Sequence, residues 1–170
     1  MSTLYNEGDY ISYGNNGVCK VEGIIYKDVP GSREKHQYYM LKPVYRQNGT
    51  IFCPVDESKG AVRRKIMTKE ECRDLLNHAP QVEDIRSSSR KEFDEKCKEA
   101  ISSGQCTEWL KVVKTLTREQ ETRRREGKRL AATHERILRT AAENLCGELA
   151  VSMDQDISQV ETMLRGLLNS

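Results

Sequence analysis

The spacing of apolar residues changes character near Ile66. Before that residue, short β-branched and aromatic runs alternate with turn residues, a pattern that predicts β-strands. The predicted strands are residues 9–13, 18–26, 37–44 and 50–55, with 62–66 as a candidate fifth and with turns at Pro30-Gly31-Ser32 and Gln47-Asn48-Gly49. A sheet this short must close to bury its core face and its edges, so the pattern predicts a small β-barrel of the SH3 or Tudor type.

After Ile66 the apolar residues recur at helical spacing. The sequences Thr68–Glu71 and Ser89–Glu92 predict two capping boxes, in which a hydroxyl and a carboxylate each bind an amide of the first helical turn. About five helices are predicted, with apolar faces at residues 72–76, 93–101, 109–116, 130–149 and 160–167, the last one capped by Asp156. The chain is thus predicted to be a two-domain α+β protein: a β domain over residues 1–66 and an all-α domain over residues 67–170.

The only tryptophan, Trp109, is predicted to lie in the helical core, because Leu110, Val113 and Leu116 continue its face. The 170 residues carry a net charge of only +2, too weak by itself to indicate nucleic-acid binding. The charge is unevenly distributed, however. Residues 111–129 hold eight Lys or Arg against three Glu, a local basic excess.

No signature of catalysis or metal binding occurs in the sequence. The six cysteines are scattered without a CxxC or a paired Cys/His spacing, so they are predicted to be small buried residues in a reducing compartment. His134 is predicted to be a hydrogen-bonded or half-buried helix residue and not a ligand. We therefore expect no enzymatic activity and no cofactor or metal. Lacking a signal pattern or a long apolar run, the protein is expected to be cytoplasmic and to have no membrane partner.

An ordered series of residues across both predicted domains resembles the CarD/CdnL family of bacterial transcription regulators. In the first domain the series is Gly8-Asp9, Tyr13, Gly17, Val21, Tyr39–Leu41, Pro54 and Val62-Arg63. In the second it is Ser103-Gly104, Gly127–Leu130, Ile137-Leu138 and Gly147–Ala150. The first domain is similar to the polymerase-interacting domain that this family shares with transcription-repair coupling factor. The resemblance covers almost the whole chain.

This resemblance implies a mechanism without a chemical reaction. The β domain would add an edge strand to the lobe of the RNA polymerase β subunit. The helical domain would contact promoter DNA at the upstream edge of the melted bubble, through phosphates and the minor groove with little sequence preference, and would stabilise the open complex. The protein would be a monomer when free and would associate with the nucleoid through polymerase.

The resemblance also implies site residues. Lys27 and Phe52 match the polymerase-facing positions, with Ile51, Cys53 and Pro54 beside Phe52. The DNA-binding candidates are Arg86, Arg90 and Lys91 near a helix N-terminus, followed by Lys128 and Arg129, which match a basic pair in the family's fourth helix.

The sequence departs from the family at two of these positions. The family often has Arg where Phe52 stands. The family's wedge Trp is missing from residues 85–91, so DNA binding is expected to depend on phosphate contacts and to weaken with salt.

Several alternatives remain open at this point. Phe52 is also consistent with a barrel core residue, Lys27 with a solvated turn residue, and residues 123–125 with a solvated helix end. The missing wedge is compatible with a polymerase-binding protein that does not act on DNA. An SH3-like barrel is also found in RNA-binding or ribosome-associated factors. The tyrosines of the first domain are compatible with a reader of methylated side chains, although they are also typical strand residues.

Overall fold

A computed structural model describes residues 4–46 and 49–169 of the chain. The contacts divide the chain between Ile66 and Met67 into two compact units, which we call the β unit and the helical unit. Two residues of the predicted turn at Gln47-Asn48-Gly49 lie outside the described residues, so that prediction stays a prediction.

The β unit is one antiparallel sheet of five strands. The strands are β1 (Tyr10–Tyr13), β2 (Val18–Asp28), β3 (Lys35–Pro43), β4 (Ile51–Pro54) and β5 (Arg63–Lys65), in the order β4-β3-β2-β1-β5. The candidate fifth strand is therefore confirmed. Val44 lies just outside β3, and β2 extends to Asp28, two residues beyond its predicted end. The inner face of the sheet forms the core of this unit, with Ile11, Cys19, Val21, Tyr39, Leu41 and Cys53 fully buried.

The two edge strands are tied together by one side chain, Arg63 of β5. Its guanidinium donates hydrogen bonds to the carbonyl of Pro54 and to the Cys53 sulfur of β4, the latter at 2.5 Å. It also donates to the carbonyl of Asp56 at 2.6 Å, in the segment after β4. Arginine has five N–H donors in a fixed planar fork, which allows one residue to serve several acceptors. The sheet therefore closes through a side chain, which we call the Arg63 clasp.

The helical unit contains five α-helices. They are α1 (Lys69–His78), α2 (Arg90–Ser102), α3 (Cys106–Arg125), α4 (Ala132–Met153) and α5 (Ile157–Leu168), with a short 3₁₀ turn over Ala79–Gln81. Trp109 is fully buried among them, as predicted, and its indole N–H donates to the carbonyl of Ile101 at 3.2 Å. The two-domain α+β prediction is confirmed.

The helix starts agree only in part with the predictions. The first capping box is confirmed, since the Thr68 hydroxyl accepts from the Glu71 amide and the Glu71 carboxylate accepts from the Thr68 amide. The second is half wrong: the Ser89 hydroxyl accepts from the Glu92 amide, but the Glu92 carboxylate accepts from Ser88 instead. Asp156 lies at the N-cap of α5, where its side chain makes no capping hydrogen bond.

Candidate functional site

The first candidate site lies on edge strand β4 of the β unit. Phe52 is 39% exposed, so the alternative of a barrel core position is wrong. The Lys27 ammonium, from β2, lies 3.2 Å from the centroid of the Phe52 ring, a cation–π arrangement. The fold thus brings together the two residues that the sequence predicted to act together. Of their predicted neighbours, Cys53 is buried in the core, and Ile51 and Pro54 are partly exposed.

The main chain of β4 is open to an added strand only at Phe52. The Val55 amide donates to the Gln37 carbonyl at 3.1 Å, which sets the alternation of hydrogen-bonded pairs along the β3–β4 ladder. Cys53 and Ile51 then bond to β3, while the N–H and C=O of Phe52 point away from it. Pro54 has no N–H, and its carbonyl is occupied by the Arg63 clasp. Phe52 therefore offers both its side chain and its main-chain groups at this edge.

The second group of candidates lies in the helical unit, at the start of α2. Arg90 and Lys91 are its first two residues, and both are exposed. Arg86 is exposed four residues earlier, and its carbonyl accepts a hydrogen bond from Lys96 at 2.5 Å, which holds this segment against α2. Arg90 and Lys91 thus lie at one helix N-terminus, where main-chain amides add to their positive charge, and Arg86 lies in the segment before it.

The remaining basic pair, Lys128 and Arg129, does not lie in a helix, and the prediction of a helical position is wrong. Both are exposed in the connection between α3 and α4, where Gly127 has a φ of 73°. Helices commonly end at a residue in this left-handed conformation. The residue is usually glycine, because a Cβ atom disfavours the conformation. Arg123, in the last turn of α3, fixes this connection: its guanidinium donates to the Arg129 carbonyl at 3.4 Å, and its own carbonyl accepts from the Lys128 amide at 2.7 Å.

A polar cleft of about 420 Å³ joins three helices of this unit. We call it the serine cleft; it is lined by Ser87, Ser88, Ser89, Arg90, Phe93, Glu119, Arg123 and His134. It brings the start of α2 beside the end of α3 and the start of α4. Arg123, which the sequence could assign only to a charge run, shares this cleft with Arg90.

The histidine of the serine cleft is buried, with only 4% of its surface exposed. His134 Nε2 lies 2.7 Å from an Asp94 carboxylate oxygen, and its ring packs edge-on against Phe93 at 5.3 Å between centroids. The prediction of a hydrogen-bonded helix residue is confirmed. Its partner Asp94 was not predicted, because no local pattern connects residues 40 positions apart.

The segment that replaces the family's wedge presents no aromatic side chain. Residues 86–91 are basic or serine, and Ile85 before them is partly buried against the helical core. The Ile85 amide donates to the Thr115 hydroxyl at 2.9 Å, which fixes the segment against α3. Trp109 is fully buried and therefore does not supply a wedge from elsewhere in the described helices.

Ionisable groups around these sites show two kinds of pKa shift. Hydrogen bonds from Ser88, followed by the contact with Lys96, lower the pKa of the Glu92 carboxyl to about 2. Burial raises the pKa of the Cys19 and Cys146 thiols to about 12 and that of Cys97 to about 11. All six cysteines are buried, which confirms the prediction that they are small buried residues.

Two kinds of feature are absent from residues 4–46 and 49–169. These residues contain no group of three His, Cys, Asp or Glu side chains arranged to hold a metal ion. Within the same ranges, no helix combines the length and apolar character needed to cross a bilayer.

Two protein-family models match the chain, one for each unit. The family described as CarD-like/TRCF RID domain matches residues 5–66, and the family described as CarD, C-terminal domain, matches residues 72–165. These matches define a CarD-like RNA polymerase-interacting transcription factor, and the CarD family is a non-enzymatic family of transcription factors. The chain belongs to the CarD family, as its sequence resemblance predicted.

Proposed function

We propose that this protein binds the lobe of the RNA polymerase β subunit through edge strand β4 and promoter DNA through the start of α2. The complex would stabilise the open promoter at the upstream edge of the bubble. The observation that carries the proposal is the open edge at Phe52, where an exposed aromatic ring and unpaired main-chain groups coincide. Such an edge is what strand addition requires.

The side chain of Phe52 would contribute as much to this interface as the main chain. One residue offers two main-chain hydrogen bonds, each contributing about 0.5–1.5 kcal/mol net. Complete burial of a phenylalanine side chain contributes about 1.5–3 kcal/mol. The Lys27 ammonium lies over the ring, so the positive charge that an Arg at this position would carry is supplied here from β2, which is separated from β4 by β3.

The DNA contacts would be electrostatic. Arg90 and Lys91 lie at the N-terminus of α2 with Arg86 in the segment before it, and Lys128 and Arg129 are exposed in the α3–α4 connection. Without an aromatic wedge, these groups would bind phosphates and not unstack a base step. Affinity would fall steeply with salt, because each neutralised phosphate releases condensed counterions. By binding the open complex better than the closed one, the protein would shift their ratio by that difference in affinity.

The lifetime of an open promoter complex formed by the cognate polymerase tests this proposal. The wild-type protein should lengthen it, and Phe52→Asp should abolish the effect by weakening polymerase binding at least about tenfold, the loss of roughly 1.5 kcal/mol or more of apolar burial. Tyr10→Asp is the matched control, because Tyr10 is a similarly exposed aromatic residue, at 36%, on β1 instead of β4.

The outcomes separate the rival functions. If Phe52→Asp and Tyr10→Asp lose polymerase binding equally, or if a folded Phe52→Asp protein still binds, the proposed edge is wrong. Polymerase binding without a longer open-complex lifetime would favour a protein that occupies the lobe without acting on DNA. Absence of both effects, with binding to ribosomal RNA instead, would favour the RNA-binding alternative.

A further inference from the structure

The connection between α3 and α4 has a main chain that is fixed to the end of α3. The Lys128 amide donates to the Arg123 carbonyl at 2.7 Å, and the Gly127 amide donates to the Arg124 carbonyl at 3.0 Å. These two hydrogen bonds form a Schellman motif, in which residues just after a helix satisfy its last carbonyls. Gly127, with a φ of 73°, occupies the left-handed position of the motif. The backbone that carries Lys128 is therefore held in one conformation.

A side chain of α3 fixes the rest of the connection. Arg123 Nη1 donates to the Arg129 carbonyl at 3.4 Å, and Arg123 Nε pairs with Glu119, four residues earlier on the helix, at 3.2 Å. The ion pair with Glu119 holds the guanidinium in place for its contact with Arg129. On the other side of Arg129, Leu130 is buried. Lys128 and Arg129 thus lie between anchored points, although both residues are themselves exposed.

Arg123 differs in exposure from the two arginines that follow it. Its side chain is 37% exposed, whereas those of Arg124 and Arg125 are 80% and 78% exposed. Two of its three guanidinium nitrogens are engaged within the protein. To bind a phosphate through two nitrogens, which is the strong arrangement for arginine, Arg123 would have to give up one of these partners. Its contacts therefore fit a structural role in the connection better than direct contact with DNA.

A fixed connection favours binding because ordering a flexible segment is unfavourable. A loop that is disordered in the free protein loses conformational entropy when its charged residues bind phosphates, and that loss lowers the affinity. A connection that is already ordered avoids most of this loss. Its fixed backbone also sets the positions from which the two exposed side chains extend.

We propose that Arg123 and Gly127 are positioning residues, which preorganise Lys128 and Arg129 for contact with DNA phosphates. The inference rests on the proposed function, in which Lys128 and Arg129 bind DNA, and it adds the two residues that hold this pair in place. Arg123 itself does not bind a phosphate. It acts on DNA affinity through the Arg129 carbonyl, and Gly127 acts through the turn that carries Lys128.

The salt dependence of binding to a promoter duplex distinguishes a positioning residue from a phosphate ligand. Lys128→Gln should weaken binding and reduce the slope of log K against log salt by about one unit, because one phosphate contact is lost. Arg123→Gln should weaken binding about two- to fivefold, as expected for one hydrogen bond, and should keep the wild-type slope. A slope reduced as in Lys128→Gln would make Arg123 a phosphate ligand and overturn the proposal.

Two substitutions of Gly127 test the turn without changing any charge. A Cβ atom added at this position would meet nothing within 4 Å, so a clash opposes neither substitution. Gly127→Ala should weaken duplex binding, because alanine disfavours the left-handed conformation. Gly127→Asn should retain most of the affinity, because asparagine adopts that conformation more readily. Equal duplex affinities of these two variants would contradict the role of the turn.

¹⁵N relaxation of the free full-length protein measures the order of the connection in the absence of DNA. The order parameters of the Lys128 and Arg129 amides should fall in Arg123→Gln and in Gly127→Ala. They should stay at the wild-type values in Arg125→Gln, which removes the same charge two residues later, at a side chain that is 78% exposed. Unchanged order in Arg123→Gln would overturn the proposal, and a thermal melt of each variant confirms that it is folded.

The two measurements together separate this inference from the proposed function. If Lys128→Gln weakens duplex binding but Arg123→Gln and Gly127→Ala do not, the positioning role is wrong and the DNA contact stands. If the order parameters fall as expected but Lys128→Gln leaves duplex binding unchanged, the DNA contact of this pair is wrong, and the inference fails with it. Neither measurement involves polymerase, so the result is independent of the β4 edge.

Discussion

Single residues determine the role of each surface in this protein. The sequence predicts whether a residue is buried in some of these cases but not in others. Trp109 could be placed in the core because its helical neighbours are apolar on the same face. Phe52 could not be placed from its own strand, because the alternation of a four-residue strand does not say which face is inside. Its exposure follows from the pairing of β4 with β3, which places Cys53 in the core instead.

Trp109→Ala should lower the free energy of unfolding by about 3–5 kcal/mol, because it removes the largest fully buried side chain and leaves a cavity. Chemical denaturation followed by circular dichroism measures the change. DNA binding, measured at a temperature where the variant is folded, should match the wild type. A stable variant with defective DNA binding would mean that the wedge function resides at Trp109 after all.

At the scale of an element, the start of α2 illustrates how neighbouring residues of the same type compete. A Ser-x-x-Glu sequence predicted a reciprocal capping box with Ser89, but Ser88 offers both a hydroxyl and an amide to the same carboxylate. Two bonds to Ser88 are therefore formed in place of one to the Ser89 amide. Since Glu92 also contacts Lys96 at 3.1 Å, the carboxylate holds the serine segment in its anionic form.

This arrangement makes the stability of α2 depend on pH. The pKa of Glu92 is lowered from 4.5 to about 2, so its stabilising contribution is present above pH 4.5 and is lost as the pH falls towards 2. Glu92→Gln should therefore flatten the pH dependence of the unfolding free energy in that window. Glu95→Gln, an exposed carboxylate on the same helix, is the control. Equal slopes for the Glu92→Gln and wild-type proteins would contradict the arrangement.

At the scale of the whole molecule, the division into a β unit and a helical unit was predictable, because the hydrophobic period itself changes at the boundary. The serine cleft could not be predicted from the sequence. Its lining comes from the segment before α2 and from three helices, at residues 87–90, 93, 119, 123 and 134, and their proximity depends on packing that no local pattern encodes. The sequence shows the basic run at the end of α3. It does not show that, of the three arginines in this run, Arg123 is the one that lines the cleft.

The two units should be separable by mutation. Arg90→Glu combined with Lys91→Glu should leave polymerase binding intact, shorten the open-complex lifetime and make DNA binding less salt-dependent, by about one unit of slope for each lost phosphate contact. The control is Lys69→Glu with Arg73→Glu, which reverses two charges at the start of α1. An unchanged lifetime in the first variant would remove Arg90 and Lys91 from the DNA site.

The Arg63 clasp has a consequence for the behaviour of the protein in concentrated solution. An open sheet edge invites a second copy to pair along it, which is how many β proteins aggregate. Here the Pro54 carbonyl is already bound by Arg63, and proline has no amide to offer. Along β4, a second copy would find an unpaired amide and carbonyl at Phe52 only, so two main-chain hydrogen bonds would have to hold the copies together, whereas the proposed polymerase interface adds burial of the Phe52 ring. The clasp thus lets a strand-binding edge stay exposed without making the protein self-adhesive.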